Sequence, residues 1–129
     1  MATLTATLSL TSTDATSETT SLTEIKAITV GSPIIGISRV SVAVSGGSDV
    51  AIVPSGAANQ YVYIKHTGFQ SDGSTVTTNQ LSVKFASTEG VRISAGEWAF
   101  LPSKSDVVVN LISSSTETIL VEYAYWTGA

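Results

Sequence analysis

Residues 94–102 read SAGEWAFLP. Ser94, Ala95 and Gly96 form a small-residue turn, Glu97 follows, and Trp98-Ala99-Phe100-Leu101 is apolar at every position until Pro102 stops it. In a strand, alternation puts Trp98 and Phe100 on one face and Ala99 and Leu101 on the other. Proline has no N–H to give to a ladder, so Pro102 is expected to end the hydrogen-bonded pairing. A strand that is apolar on both faces needs a cover on both. One cover is the protein's own core, and the larger side chains, Trp98 and Phe100, are read as facing it. The other is a neighbouring chain or the chain's own N-terminal segment.

The same two-sided pattern recurs toward the C-terminus. DVVVNLI (106–112) carries Val107, Val109 and Leu111 on one face, Val108 and Ile112 on the other. TILVEYAYW (118–126) sets Ile119, Val121, Tyr123 and Tyr125 opposite Leu120, Ala124 and Trp126. Val121 and Tyr123 join Trp98 and Phe100 as candidate core positions; Tyr125 and Trp126 are candidates for an interface. Working outward, period-two alternation dominates the chain. LSVKFA (81–86), QYVYIKH (60–66), VAIV (50–53), the run 37–44 and VRIS (91–94) all read as strands. Gly46-Gly47, Pro54-Ser55-Gly56, Asp72-Gly73 and Glu89-Gly90 are the stops between them. Residues 67–80 read as a long exposed loop or hairpin tip.

The N-terminal stretch alternates as well. Leu4, Ala6, Leu8 and Leu10 share one face of a strand over about 2–10. Residues 11–21, TSTDATSETTS, read as a polar loop or linker. TEIKAITV (23–30) is a strand closed by Gly31-Ser32-Pro33, with a short helix as the competitor because Leu22, Ile25 and Ile28 also match helical spacing. Helical turns are otherwise conceivable only in 54–60. The division expected is an N-terminal arm with linker over 1–20 and a β-sandwich over 21–129, with about nine short strands in all.

Composition narrows the functions. A chain of 129 residues and 13.3 kDa is long enough to bury a real core. It has no cysteine, which removes disulfides, thiolate metal sites and a cysteine nucleophile. Charged residues make up 12%, and Ser plus Thr are more than twice as numerous, so uncharged hydroxyls do much of the solvation. A net charge of −4 with scattered cations argues against nucleic-acid binding. No run approaches the roughly 20 apolar residues of a membrane helix, and the start has neither the basic nor the apolar segment of a secretion signal. A soluble, non-secreted protein with no membrane partner is expected.

The chemistry-bearing residues are few. His66, the single histidine, follows Val62 and Ile64 on its strand face and reads as structural. No GxSxG elbow precedes a helix, and no histidine or carboxylate set has zinc spacing. SGGSD (45–49) lacks the GK[ST] of a phosphate loop and reads as a tight turn. Glu122, set between large apolar neighbours, is expected to meet a cation such as Arg92 or Lys84 or to lie at an interface. No catalytic residue, metal or cofactor is expected, and no enzyme activity. The six tyrosines and tryptophans could form a sugar-stacking platform, with core packing as the alternative for Trp98 and Tyr123.

VRISAGEWAFLPS, followed by TETILVEYAYWTG at the C-terminus, resembles small structural proteins of tailed bacteriophages. Gly96, Glu97, Ala99, Phe100, Leu101 and Pro102 match the first strand pattern; Val121, Glu122, Tyr123 and Ala124 match a terminal "VEYA" strand. The resemblance spans mainly the last 40 residues. It implies a virion component with a jelly-roll-like sandwich, located in the particle. The leading function is a decoration or cement protein on the capsid; a neck, tail or fibre adaptor is the alternative, and a carbohydrate-binding module a third. Partners would be the major capsid protein or other virion proteins, together with a homo-oligomer, a trimer by preference. Leu4, Leu8 and Leu10 on the N-terminal strand are the interface candidates, alongside Tyr125 and Trp126.

Overall fold

A computed structural model describes residues 2–15, 17–31, 36–56 and 58–128. Among them there is no helix. Ten strands form: β1 (Ala2–Ser12), β2 (Thr20–Val30), β3 (Ser38–Val42), β4 (Val50–Val53), β5 (Gln60–His66), β6 (Leu81–Phe85), β7 (Thr88–Ile93), β8 (Trp98–Ser103), β9 (Val109–Ser113) and β10 (Ile119–Thr127). All pairings are antiparallel. The molecule is an all-β antiparallel sandwich carrying an N-terminal hairpin.

The sandwich consists of two four-stranded sheets, ordered β3-β10-β5-β8 and β4-β9-β6-β7. Every connection from β3 onward passes from one sheet to the other, except the β6–β7 hairpin. The two inner faces meet in a core of β-branched and leucine side chains. Val42, Val53, Val62, Ile64, Leu81, Val83, Val109, Leu111, Ile119 and Val121 are all wholly buried. Each such side chain contributes about 1.5–3 kcal/mol relative to leaving it in water. Branched residues dominate because a stiff χ1 suits a pleated surface packed on another.

The connecting turns use local chemistry. In the 67–80 loop, Phe69 and Val76 make one isolated bridge, and the tip is tied by Asp72. Its carboxylate accepts from the backbone N–H of Ser74 at 2.9 Å and Thr75 at 2.8 Å, while Gly73 takes the positive φ of 74° that the turn requires. Elsewhere, the stop expected at Glu89-Gly90 is displaced. The chain reverses at Ala86-Ser87, and both Glu89 and Gly90 lie within β7. The reason is a bulge: Val83 pairs with Val91 while Lys84 pairs with Glu89, leaving Gly90 over. A Cβ on Gly90 would lie 2.8 Å from the Phe85 ring.

The N-terminal part departs most from the sequence reading. Residues 2–12 and 20–30 are not a strand, a tether and a sandwich strand. They pair with each other along their whole length, Ala2 with Val30 through Ser12 with Thr20, as a separate two-stranded sheet. The polar stretch 11–21 is therefore strand at both ends, and only its middle turns. Threonine is β-branched and suits a strand whose outer side faces water. Leu22, Ile25 and Ile28 belong to this strand, so the helical alternative is excluded. The stop at Ser32 and Pro33 lies outside the described residues. So does Ala57; residues 54–56 and 58–60 form no helical turn.

Candidate interaction face

The outer face of the β3-β10-β5-β8 sheet is unusually aromatic. Strand parity builds it. On β5, Val62, Ile64 and His66 point into the core, so Tyr61, Tyr63 and Lys65 point out. The register then aligns Trp126 with Tyr61, Ala124 with Tyr63, Phe100 with Tyr63 and Trp98 with Lys65 on the same face. Tyr61 stacks on Phe100 with ring centroids 6.4 Å apart and planes 10° apart. Phe100 meets Trp126 at 6.4 Å with a tilt of 52°. Offset arrangements of this kind add about 0.5–1.5 kcal/mol per pair beyond area burial.

This placement corrects the reading of β8. Trp98 and Phe100 do not face the core; Ala99 and Leu101 do, opposite Ile64 and Val62. Trp98 is 54% exposed and Phe100 half-buried on the outside. Val121 is wholly buried, and Tyr123 packs half-buried against the core from the same inner face. Tyr125 does likewise, packing half-buried against the core from the inner face.

The hairpin lies across this aromatic face. Its own inner row is Ala2, Leu4, Ala6, Leu8 and Leu10 on β1, facing the same way as Val30, Ile28, Lys26, Glu24 and Leu22 on β2. Near its base it is anchored firmly. Val30 bridges to Gly128, the Gly31 N–H donates to the Thr127 carbonyl at 2.8 Å, and Ile28 and Val30 are buried. Farther out, hairpin and sheet part company. A slot of about 620 Å³ opens between them, roofed by Leu4, Ala6 and Leu8 and floored by Tyr63, Phe100 and Trp126, with Trp98 at its side. Leu4 and Trp126 thus face each other within one chain. At the slot's mouth Leu8 is 41% exposed, and beyond it the apolar row runs on without cover, Leu10 49% exposed and Leu22 39%.

Polar groups edge the face. Tyr63 Oη donates to Glu122 Oε1 at 3.1 Å, and Arg39 Nη2 lies 3.8 Å from Glu122 Oε2. Partial burial, and then the bond to the Glu122 carboxylate, push the Tyr63 phenol above its ordinary value. Glu122 therefore meets Arg39, not Arg92 or Lys84. Those two serve the other sheet, Lys84 pairing with Asp49 at 3.2 Å and Arg92 with Glu89 at 2.7 Å.

His66 is wholly buried and fully bonded. Its Nδ1 accepts from the Gly68 N–H at 3.0 Å, so Nε2 carries the proton and donates to the Asn79 carbonyl at 2.7 Å. It ties the end of β5 to the far side of the 67–80 loop, leaving no free nitrogen for a ligand. Among the described residues, no three His, Asp or Glu side chains gather as a metal site, and no helix is long and apolar enough to cross a membrane. What the face offers is apolar contact, edged by charge. Leu22, in the uncovered row, was missed from the sequence because its strand partner Leu10 lies across a polar turn.

In comparison with known proteins, no family model matches this chain and no curated relative matches its sequence.

Proposed function

We propose that the chain is a non-enzymatic structural protein of a tailed-bacteriophage particle, a decoration or cement protein that binds the assembled shell and stabilises it. The observation that carries this reading is the hairpin. It projects beyond the sandwich with Leu8, Leu10 and Leu22 exposed along one face, an arrangement that costs solvation unless something covers it. Its partners are the major capsid protein or other virion proteins, reached from a homo-oligomer, a trimer by preference. The strand orders β3-β10-β5-β8 and β4-β9-β6-β7 support a jelly-roll reading of the sandwich, an architecture found in viral capsid domains.

The test is to titrate the purified chain onto shells lacking it and measure bound copies by gel densitometry. Saturation at a copy number comparable to that of the shell subunits is expected. Saturation at a few copies per particle would instead favour a neck, tail or fibre adaptor, and absence of binding would end both readings. The carbohydrate-binding reading has less support, because Tyr63, Phe100 and Trp126 lie beneath the hairpin instead of forming an open platform.

A further inference from the structure

Two apolar features of this chain remain unsatisfied within it. One is a projection, the distal hairpin pair Leu10 and Leu22. The other is a recess, the slot of about 620 Å³ between hairpin and sheet, with Trp98 left 54% exposed beside it. Protein interiors rarely leave voids larger than a water molecule, and an apolar recess of this size holds water poorly. A projection and a matching recess at different places on one molecule make a heterologous, head-to-tail contact between copies, which closes into a ring when the rotation allows.

Charge selects the same occupant. The turn joining β1 and β2 carries Asp14 and Glu18, and residues 1–25 contain no lysine or arginine. At the recess, Lys26 lines the slot beside Glu24 and Lys65 stands opposite Trp98 in the register, while Arg39, two residues from the lining Ile37, is paired with Glu122. The acidic tip and the basic surround attract across an interface and orient the approach.

We infer that the hairpin tip of one copy inserts Leu10 and Leu22 into the slot of a second copy, against Trp98 and Phe100. This rests on the structural reading of the protein above and assigns the cover of the exposed hairpin row to a second copy, so that the assembled oligomer is what meets the shell. Both tryptophans of the chain border the slot, so their emission reports its occupancy directly.

The experiment uses the full-length chain and two surface variants. Leu10→Asp disables the projection and leaves the recess; Trp98→Glu disables the recess and leaves the projection. Both positions are exposed, and unchanged melting temperatures verify that the variants fold. Sedimentation should find the parent self-associating, with tryptophan emission moving to longer wavelength on dilution. Each variant alone should associate about tenfold more weakly or worse. A one-to-one mixture should regain one intact contact and yield a heterodimer that neither variant forms by itself. A monomeric parent at high micromolar concentration, parental association in both variants, or a mixture without heterodimer would each overturn the inference. Shell binding is scored separately. A monomeric chain that still decorates shells removes this contact and leaves the proposed function standing; an oligomer that ignores shells does the reverse.

Discussion

Tyr63 and Glu122 sit diagonally across the β5–β10 ladder, joined by a 3.1 Å hydrogen bond from phenol to carboxylate. They form a polar node at the edge of the aromatic face, where Lys65 and Arg39 are the cross-strand neighbours of Glu122. The node keeps the half-buried Glu122 carboxylate hydrogen-bonded.

Removing the phenol should therefore cost more than losing one bond. Tyr63→Phe is expected to destabilise the fold by about 1–3 kcal/mol, since the carboxylate is left partly desolvated. Glu122→Gln should be milder and should lower the Tyr63 titration seen by ultraviolet difference spectroscopy, because the carboxylate's charge no longer adds to the elevation. The sign at alkaline pH follows. A folded-state value above the unfolded one means stability is present below the ordinary tyrosine range and declines as pH rises through the folded value. Denaturant melts at increasing pH would show it, and the Phe variant should show a shallower decline.

Core and outer face should respond oppositely to truncation. Leu111→Ala and Ile64→Ala, both at wholly buried sites, should cost about 2–5 kcal/mol each. Trp98→Ala, at a position 54% exposed, should stay within about 0.5–1 kcal/mol in the isolated chain. Chemical denaturation of the three variants separates these values, and a Trp98 cost equal to that of Leu111 would contradict the outward assignment.

His66→Phe should fail to substitute despite its similar shape. It strands the Gly68 N–H and the Asn79 carbonyl inside the protein, at about 1–3 kcal/mol for each buried group left unpaired. Hydrogen exchange should locate the damage in the 67–80 loop, with the Gly68 amide losing protection first.

Asp72 links the same loop to acid. Hydrogen bonds from the Thr75 hydroxyl and the Thr75 and Ser74 backbone amides hold its carboxyl down at about 2. Because the folded value lies below the unfolded one, its contribution is present above the ordinary aspartate range and is lost as pH falls toward 2. Melting temperatures measured between pH 5 and 2 should fall less steeply in Asp72→Asn than in the parent, because the variant has no such proton to take up.

The sandwich was legible because its strands are local patterns. VAIV and QYVYIKH coincide with β4 and β5 residue for residue, since alternation and flanking Gly, Pro or Asn define them without reference to anything distant. The orientation of β8 was not. Parity divides Trp98 and Phe100 from Ala99 and Leu101, but which pair faces inward depends on alignment with β5, more than thirty residues away. Size alone favours the wrong pair. The hairpin was hidden for a different reason. Beyond Leu10 and Leu22 its strands carry only Thr and Ser, so hydrophobic periodicity fades although the backbone pairing continues to Ser12 and Thr20. The slot follows from both features together, which is why no single motif announces it.

The connections that cross between sheets carry a kinetic consequence. β3, the first strand of the sandwich, pairs with β10, the last, so that Val42 lies opposite Ile119. Such a ladder cannot form until nearly the whole chain has been gathered, and topologies dominated by distant pairings fold in milliseconds to seconds or more slowly. The same clasp acts in reverse. The C-terminal strand cannot peel away alone, because β10 lies between β3 and β5 and buries Ile119 and Val121 in the shared core. Unfolding must then open the molecule as a unit, over a barrier that local fraying does not lower. That slowness is a form of durability distinct from the depth of its equilibrium stability.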